Sequence, residues 1–398
     1  MYTIPSTLEK RLLSYVKKTY LPKGRVNPKT ADQFNAKDLK FFARGIADMS
    51  AYFTSERSSL PKNYLNMKEL RAGYLLYFVI TNYLKVQFCL DESGAKDRFK
   101  GDLNILDVGC GPGTASLACA DYFRDRHLNV TAIDQNIGAL KDAKQLLSDK
   151  SHVDLYTLYS NIKPNRVTPL INGERRIKDK KFNIVILENF LSELRELDDR
   201  KVIVEALYAN HLKDDGIIII IEPALRWTTR DLMRLRDIIL QPTHQRTNLP
   251  AGRHGAPTHC LAPCLHTNPC PMLIANKRDW CHMYLDWERP KIIEEIDKLI
   301  GNRKEYIKFS YLILERTHQR TNAPTHQWRV VSAPMYSKGK TELLLCNNTG
   351  LKKLTRQEKD VSPTNKDFNH ITRGSIVDYS GGGSLGKYQE FKIIKTSG

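Results

Sequence analysis

Three of the chain's eight cysteines, Cys264, Cys270 and Cys281, fall inside "APCLHTNPCPMLIANKRDWCH" at residues 262–282, with five and ten residues between them. Cys260 lies just upstream, and Cys346 ends the strand-like run "ELLLC". Thiolates are soft ligands that select zinc or iron–sulfur clusters. Structural zinc favours C-x(2–4)-C hairpins, and only Cys260 with Cys264 has that spacing. Loops broken by proline, as at Cys270 and Pro271, suit a cluster cage better. A C-x3-C-x2-C radical-enzyme motif would require a cysteine where Thr267 stands. His266 and His282 are read as structural, and unrelated core cysteines are the plain alternative. A second stretch able to do chemistry is "NILDVGCGPGTASLA" at residues 104–118, an apolar run ending in Asp107, then Gly109, Gly111 and Gly113, then a helical pattern. Such glycines allow a tight turn and let a ligand approach the backbone at a helix N-terminus. Asp134, followed by Gln135, closes the next β-rich run in "TAIDQN", where an acid can accept hydrogen bonds from ribose hydroxyls.

The elements that must position these residues follow from apolar periodicity. In residues 1–98, "LEKRLLSYVKK", "AKDLKFFARGIADMSAYF" and "MKELRAGYLLYFVITNYLKVQFCL" space apolar residues by three and four, which predicts a helical N-terminal domain. From residue 103, "LNILDV", "NVTAID", "VDLYTLY", "FNIVIL" and "GIIIII" alternate with helical stretches. That alternation predicts an α/β fold with a parallel sheet covered by helices on both faces. The expected organisation is a helical domain at 1–98, a Rossmann-like core at 99–223 and a cysteine-rich insertion at 224–300. Late strands of the same sheet follow at 301–350, and then a basic, Gly/Ser-rich tail at 351–398 that is expected to be partly ordered at best. The short repeats "THQRTNLP" at 243–250 and "THQRTNAP" at 317–324 read as inserted polar surface loops.

The chain's 62 Lys+Arg against 44 Asp+Glu give a net charge of +18, and the excess lies at the two ends. Residues 1–100 hold 18 basic against 9 acidic side chains, residues 301–398 hold 17 against 8, and the residues between are balanced at 27 each. Basic flanks around a neutral core suit a protein that neutralises phosphates at its ends. The longest apolar runs, "GYLLYFVI" and "GIIIII", are too short for the roughly 18 residues that a membrane span needs. The N-terminus lacks the pattern of a secretory signal, and Glu9 argues against a transit peptide. An intracellular, reducing setting is therefore expected, in which clustered thiols bind metal or react before they form disulfides.

The form D-x-G-x-G-P-G, with an acid at the end of the following strand, resembles the S-adenosylmethionine (SAM) loop of class I methyltransferases more than the loop of NAD enzymes. The acceptor side is not legible. Where amino-directed methyltransferases carry an N/D-P-P-Y/F motif after the fourth strand, this chain has "LENFLSEL" at 187–194. The prolyl-cysteine pairs at 263–264 and 269–270 are similar to the nucleophile motif of cytosine-C5 enzymes but follow the fifth strand, the wrong place for that chemistry.

Taken together, "ELRAGYLLYF", "LDVGCGPGT", "IIEP", "APCLHTNPCP", "DWCH", "KFSYLIL", "RVVSAP" and "ELLLC" resemble the methyltransferase-like proteins of small-ribosomal-subunit assembly, known from mitochondria and bacteria. The resemblance runs from about residue 60 to about 375, departing at Leu265, where the family commonly has proline, and at Ala224, where it has glycine. It implies a class I SAM-dependent methyltransferase fold with a helical N-terminal domain and a cysteine-rich metal-binding insertion. It also implies a four-iron four-sulfur (4Fe-4S) cluster, zinc being the fallback, held by Cys264, Cys270 and Cys281 with Cys346 as the distant fourth ligand. The SAM site would comprise Asp107, Gly109, Gly111, Gly113, Asp134 and Gln135. The implied partner is small-subunit ribosomal RNA in the assembling subunit. The expected state is a monomer off the membrane, in the cytoplasm of a bacterium or the mitochondrial matrix of a eukaryote. A non-catalytic RNA-binding assembly factor is the alternative, and a small-molecule methyltransferase is disfavoured by the basic ends.

Overall fold

A computed structural model describes residues 1–54, 60–61, 64–164, 180–240, 258–316 and 323–396. Residues 243–250 and 317–322 of the repeats lie outside the described residues, as does the loop character expected of them. The chain divides into two compact units, Met1–Phe190 with Leu285–Ile307, and Leu191–Tyr284 with Lys308–Gly398. Among the described residues no helix is long and apolar enough to cross a membrane.

The first unit begins with helices α1 (Ser6–Tyr20), α2 (Ala36–Thr54), α3 (Lys68–Gly73), α4 (Val79–Glu92) and α5 (Ala95–Arg98), with a π-helical turn at Tyr74–Phe78. In α1 the buried Leu8, Leu12, Leu13 and Val16 recur at helical spacing, so one stripe faces the core. Then β1 (Leu103–Val108), α6 (Thr114–Tyr122), β2 (Leu128–Asp134), α7 (Ile137–Leu146), β3 (Val153–Tyr159) and β4 (Phe182–Glu188) follow. The four strands lie in the order β3-β2-β1-β4, all parallel, with Leu103 opposite Leu128 and Ile105 opposite Ile184. β1 and β4 are buried almost throughout, as strands covered by helices on both faces must be. The α/β fold read from the sequence is the one observed. The segment Leu285–Ile307 returns to this unit. Its helix Lys291–Ile300 buries Ile292, Ile293 and Ile296, and Tyr77 donates a short hydrogen bond to Asp297. The end of the expected 224–300 insertion therefore belongs with the N-terminal helices.

The second unit contains α8 (Leu197–His211), β5 (Leu212–Pro223), α9 (Arg226–Leu240), β6 (Thr258–Ala262), α10 (Pro271–Ala275), the first two residues of β7 (Met283–Asp286) and all but the first two of β8 (Tyr306–Arg316). β8 runs antiparallel to both β5 and β6. The runs "WRVVSAP" and "TELLLC", expected to finish the first sheet, lie in a second, antiparallel one. That sheet comprises β9 (Gln327–Val330), β10 (Met335–Ser337), β11 (Lys340–Asn347), β12 (Gly350–Gln357), β13 (Ile376–Asp378) and β14 (Lys392–Lys395). The tail is likewise ordered through residue 396. Leu354, Phe368, Val377, Tyr379, Leu385 and Phe391 from the tail join Trp328, Leu343 and Leu345 in one apolar core, which supplies the burial that its Gly/Ser-rich composition hides.

Candidate functional site

The glycine loop is built by β1, α6 and β2. Asp107, buried at the end of β1, accepts hydrogen bonds on Oδ2 from the Ser116 N–H at 3.0 Å and from Ser116 Oγ at 2.6 Å, tying the strand end to the first turn of α6. Burial pushes its carboxyl up to about 6, against the pull of those two bonds. Gly109, Gly111 and Gly113 all have positive φ, at 68°, 51° and 77°. Their surroundings differ. A Cβ on Gly109 would lie 2.5 Å from the Phe190 ring, and one on Gly113 would lie 2.8 Å from Ala143 Cβ. On Gly111 the nearest atom would be Leu65 Cδ1 at 3.8 Å. Protein atoms therefore fill the space beside Gly109 and Gly113, whereas the space beside Gly111 is open among the described residues.

Asp134 is 9% exposed and braced from the loop itself. Its Oδ2 accepts from the Gly111 N–H at 2.8 Å and its Oδ1 from the Asn136 N–H at 2.7 Å. Burial raises its pKa, and the N–H groups of Gly111, Asn136 and Gln135 oppose the rise. Gln135 is exposed. Thr114, at the start of α6 and 2% exposed, buries its Oγ1 without a hydrogen-bond partner among the described residues, an orphan that a bound polar ligand can satisfy.

The roof of this loop was not anticipated from the sequence. Leu65 and Asn66 sit on a 3-10 turn, Tyr64–Asn66, and Asn136 Nδ2 donates to Asn66 Oδ1 at 2.6 Å. Arg71 donates to the Leu65 carbonyl at 2.6 Å and pairs with Asp142 on α7 at 3.1 Å. Tyr15 and Tyr20 of α1 also bond that carboxylate. The sequence did offer one signal, an arginine inside the apolar run "ELRAGYLLYF". At the end of β4, Asn189 adopts φ 56°, outside the usual range for a side-chain-bearing residue, and Phe190 is committed to packing on Gly109.

The second site lies wholly in the second unit. Cys264, Cys270, Cys281 and Cys346 line one cavity together with Met233, Arg236, His266, Arg329 and Val331. The fold thus brings the three clustered thiols to the distant fourth, which lies on β11. Cys270 donates its N–H to the Asp237 carboxylate at 3.0 Å. Cys260, on β6, is buried and donates to the Ala262 carbonyl. Its nearness drives the Cys264 thiol well below its ordinary value, with help from Arg236 and against burial. Burial pushes Cys270 up to about 12, Cys281 up to about 11 and Cys346 further upward, Cys264 adding to each. Among the described residues no group of three or more His, Cys, Asp or Glu side chains stands at metal-holding geometry. The donor set itself, four soft thiols facing one space, fits a soft metal centre. His266 and His282 are both shifted downward, chiefly by burial, His282 to about 4. His282 Nδ1 lies 3.0 Å from the Trp280 carbonyl, a structural use of the ring.

The parallel strand order, the glycine loop and the acid ending β2 define a Rossmann-like fold of the class I SAM-dependent methyltransferase type. The family model described as mitochondrial small ribosomal subunit Rsm22 matches residues 69–362, and the chain belongs to that family. Solved structures with a similar fold include a TehB-like SAM-dependent methyltransferase from Corynebacterium glutamicum. It has 14% identity and a TM-score of 0.30, over 59% of this chain and 97% of that one. A Listeria monocytogenes protein described as a class I SAM-dependent methyltransferase has 12% identity and a TM-score of 0.39, over 81% of this chain and 91% of that one. A third is a SAM-dependent methyltransferase from Clostridium acetobutylicum, with 13% identity and a TM-score of 0.29, over 79% and 92% of the two chains. No match was found among curated protein sequences.

Proposed function

We propose that this chain binds SAM at the glycine loop and acts on small-subunit ribosomal RNA during assembly of the subunit, with a 4Fe-4S cluster on Cys264, Cys270, Cys281 and Cys346. The observation that carries the reading is the open Gly111, braced through its N–H to Asp134, in a chain of a small-ribosomal-subunit family. Asp134 keeps lone pairs for ribose hydroxyls beyond the N–H bonds that it accepts. Gly111 admits the ligand against the backbone, and Thr114 Oγ1 offers a buried hydroxyl at the helix start. Bound SAM supplies an electrophilic methyl group. The excess of basic side chains near both ends supports phosphate contact. In a eukaryote the family's description favours the mitochondrial matrix.

A second reading, an RNA-docking assembly factor that uses SAM and metal structurally, is favoured by one feature. After β4, Asn189 and Phe190 stand where an acceptor-binding motif would be, and Phe190 is spent on Gly109. Anaerobically purified protein incubated with labelled SAM and immature small subunits separates the two. Label entering ribosomal RNA supports the enzyme. SAM binding without transfer, with RNA affinity falling steeply as salt rises, supports the docking factor. RNA affinity flat between low and moderate salt removes the phosphate argument from both.

A further inference from the structure

Three arginines converge on the thiol cavity. Arg236 and Arg329 line it directly and are 2% and 5% exposed. Arg329 and Arg373 line an adjoining pocket that shares Cys281. Each guanidinium is tied to main chain close to a cysteine. Arg236, on α9, donates to the carbonyls of His266 and Asn268, in the loop between Cys264 and Cys270. It also pairs with Asp237, whose carboxylate receives the Cys270 N–H. Arg373 donates to the carbonyl of His282, next to Cys281, at 3.1 Å. Arg329, on β9, is the cross-strand partner of Cys346 and donates to the Gly374 carbonyl at 2.7 Å, which fixes the residue beside Arg373.

We propose that Arg236, Arg329 and Arg373 form a guanidinium cage that compensates the negative charge of the thiolate-bound centre and holds up its reduction potential. The proposal rests on the reading of the four cysteines as ligands of one metal centre. Four thiolates around a doubly positive core leave a dianion, and sinking a dianion into a buried cavity is costly unless cations stand beside it. Arginine suits the task because its planar, always charged fork can be fixed by carbonyls on one side while its field reaches the ligands on the other. One-electron reduction adds a further negative charge, so a cationic cage favours the reduced state. Net charge and hydrogen bonding around the sulfurs are recognised controls on cluster potential.

The test uses the full-length chain reconstituted anaerobically with iron and sulfide, comparing wild type with Arg373→Met, Arg373→Lys and Arg329→Met. Arg373 is only half-buried, so its variants are the ones expected to fold, with circular dichroism as the check. Arg373→Met should lower the reduced-to-oxidised ratio at fixed applied potential roughly tenfold, about 59 mV for a one-electron couple, and speed metal release to a chelator. Arg329→Met should shift both in the same direction, and Arg373→Lys should stay near wild type. If the Met and Lys variants of Arg373 shift equally, the arginine is a clasp for the loops and the cage is wrong. Unchanged potential and release in both Met variants overturn it as well. For a chain that loads zinc, the chelator arm alone decides. A wild type that holds neither iron nor zinc, or holds metal undisturbed by Cys346→Ser, sinks the ligand reading first and the cage with it.

Discussion

The cofactor loop and the thiol cavity solve the same problem, presenting polar groups inside a protein, in opposite ways. The loop is local: Asp107, the three glycines and Asp134 lie within one β-α-β stretch, and its carboxylates are already satisfied by Ser116, Gly111 and Asn136. The cavity is assembled from residues as distant as Cys264 and Cys346, which come from the loop after β6 and from β11. Its thiols face one another and the buried Arg236 and Arg329. Cys260 and Cys264 shift one another in opposite directions, and burial with repulsion raises the other three ligand candidates. A site closed by backbone hydrogen bonds can be complete before its ligand arrives, whereas a site of unsatisfied soft donors gains its order from the ion.

The largest effect should come from the cavity. Cys346→Ser should abolish the iron–sulfur absorbance, lower stability by on the order of several kcal/mol and open the 262–282 loop to proteolysis. Cys260→Ser, which removes a thiol outside the cavity lining, should leave metal content nearly intact. If limited proteolysis finds Cys260→Ser loose and Cys346→Ser firm, the cage is local and the contrast with the glycine loop disappears.

Next is the loop. Gly111→Val should weaken SAM binding roughly 100-fold or more, about 3 kcal/mol, with the far-ultraviolet spectrum unchanged. Gly109→Ala should instead lower the melting temperature, because its Cβ meets the Phe190 ring. Titration calorimetry that shows wild-type affinity for Gly111→Val would refute the assignment of the open glycine.

The smallest effect concerns the buried carboxyl of Asp107. Its folded pKa, about 6, stands above the ordinary 3.8, so the folded state holds the proton more tightly than the unfolded chain. The stabilisation is fully present below about pH 4 and is lost as pH rises through about 6. Asp107→Asn should flatten stability between those limits and raise it near pH 7 by about 1–3 kcal/mol, since an amide oxygen can still accept from Ser116. Urea melts at pH 4 and pH 7 that show the same slope in variant and wild type would mean that Asp107 is not the group responsible.

What the sequence disclosed follows the same divide. The loop was legible because its signals are contiguous and each glycine or acid occupies a fixed place in a strand, turn or helix. Which glycine has open space beside it was not, because that depends on Phe190 and Ala143, neighbours distant in sequence. The thiols were legible as donors, but Arg236, Arg329 and Arg373 look like any surface arginines until β9, α9 and the tail fold around them. "TELLLC" reads as a buried strand in any sheet, and nothing in its alternation says which partner it takes. The tail misled because β13 is only three residues long, below the span in which a period can be seen, and its core contribution rests on scattered single residues such as Tyr379 and Leu385.

The return of Leu285–Ile307 to the first unit has a consequence for how the chain folds as it is made. Tyr77 waits for Asp297, 220 residues later, and Ser50 for Asn302, 252 residues later. At roughly 5–20 residues per second of synthesis, the stretch between Phe190 and Leu285 alone takes about 5–20 s. For that interval the nascent N-terminal helices carry an uncovered apolar face outside the ribosome, a face that a chaperone has time to meet before the chain's own Ile292, Ile293 and Ile296 arrive to close it.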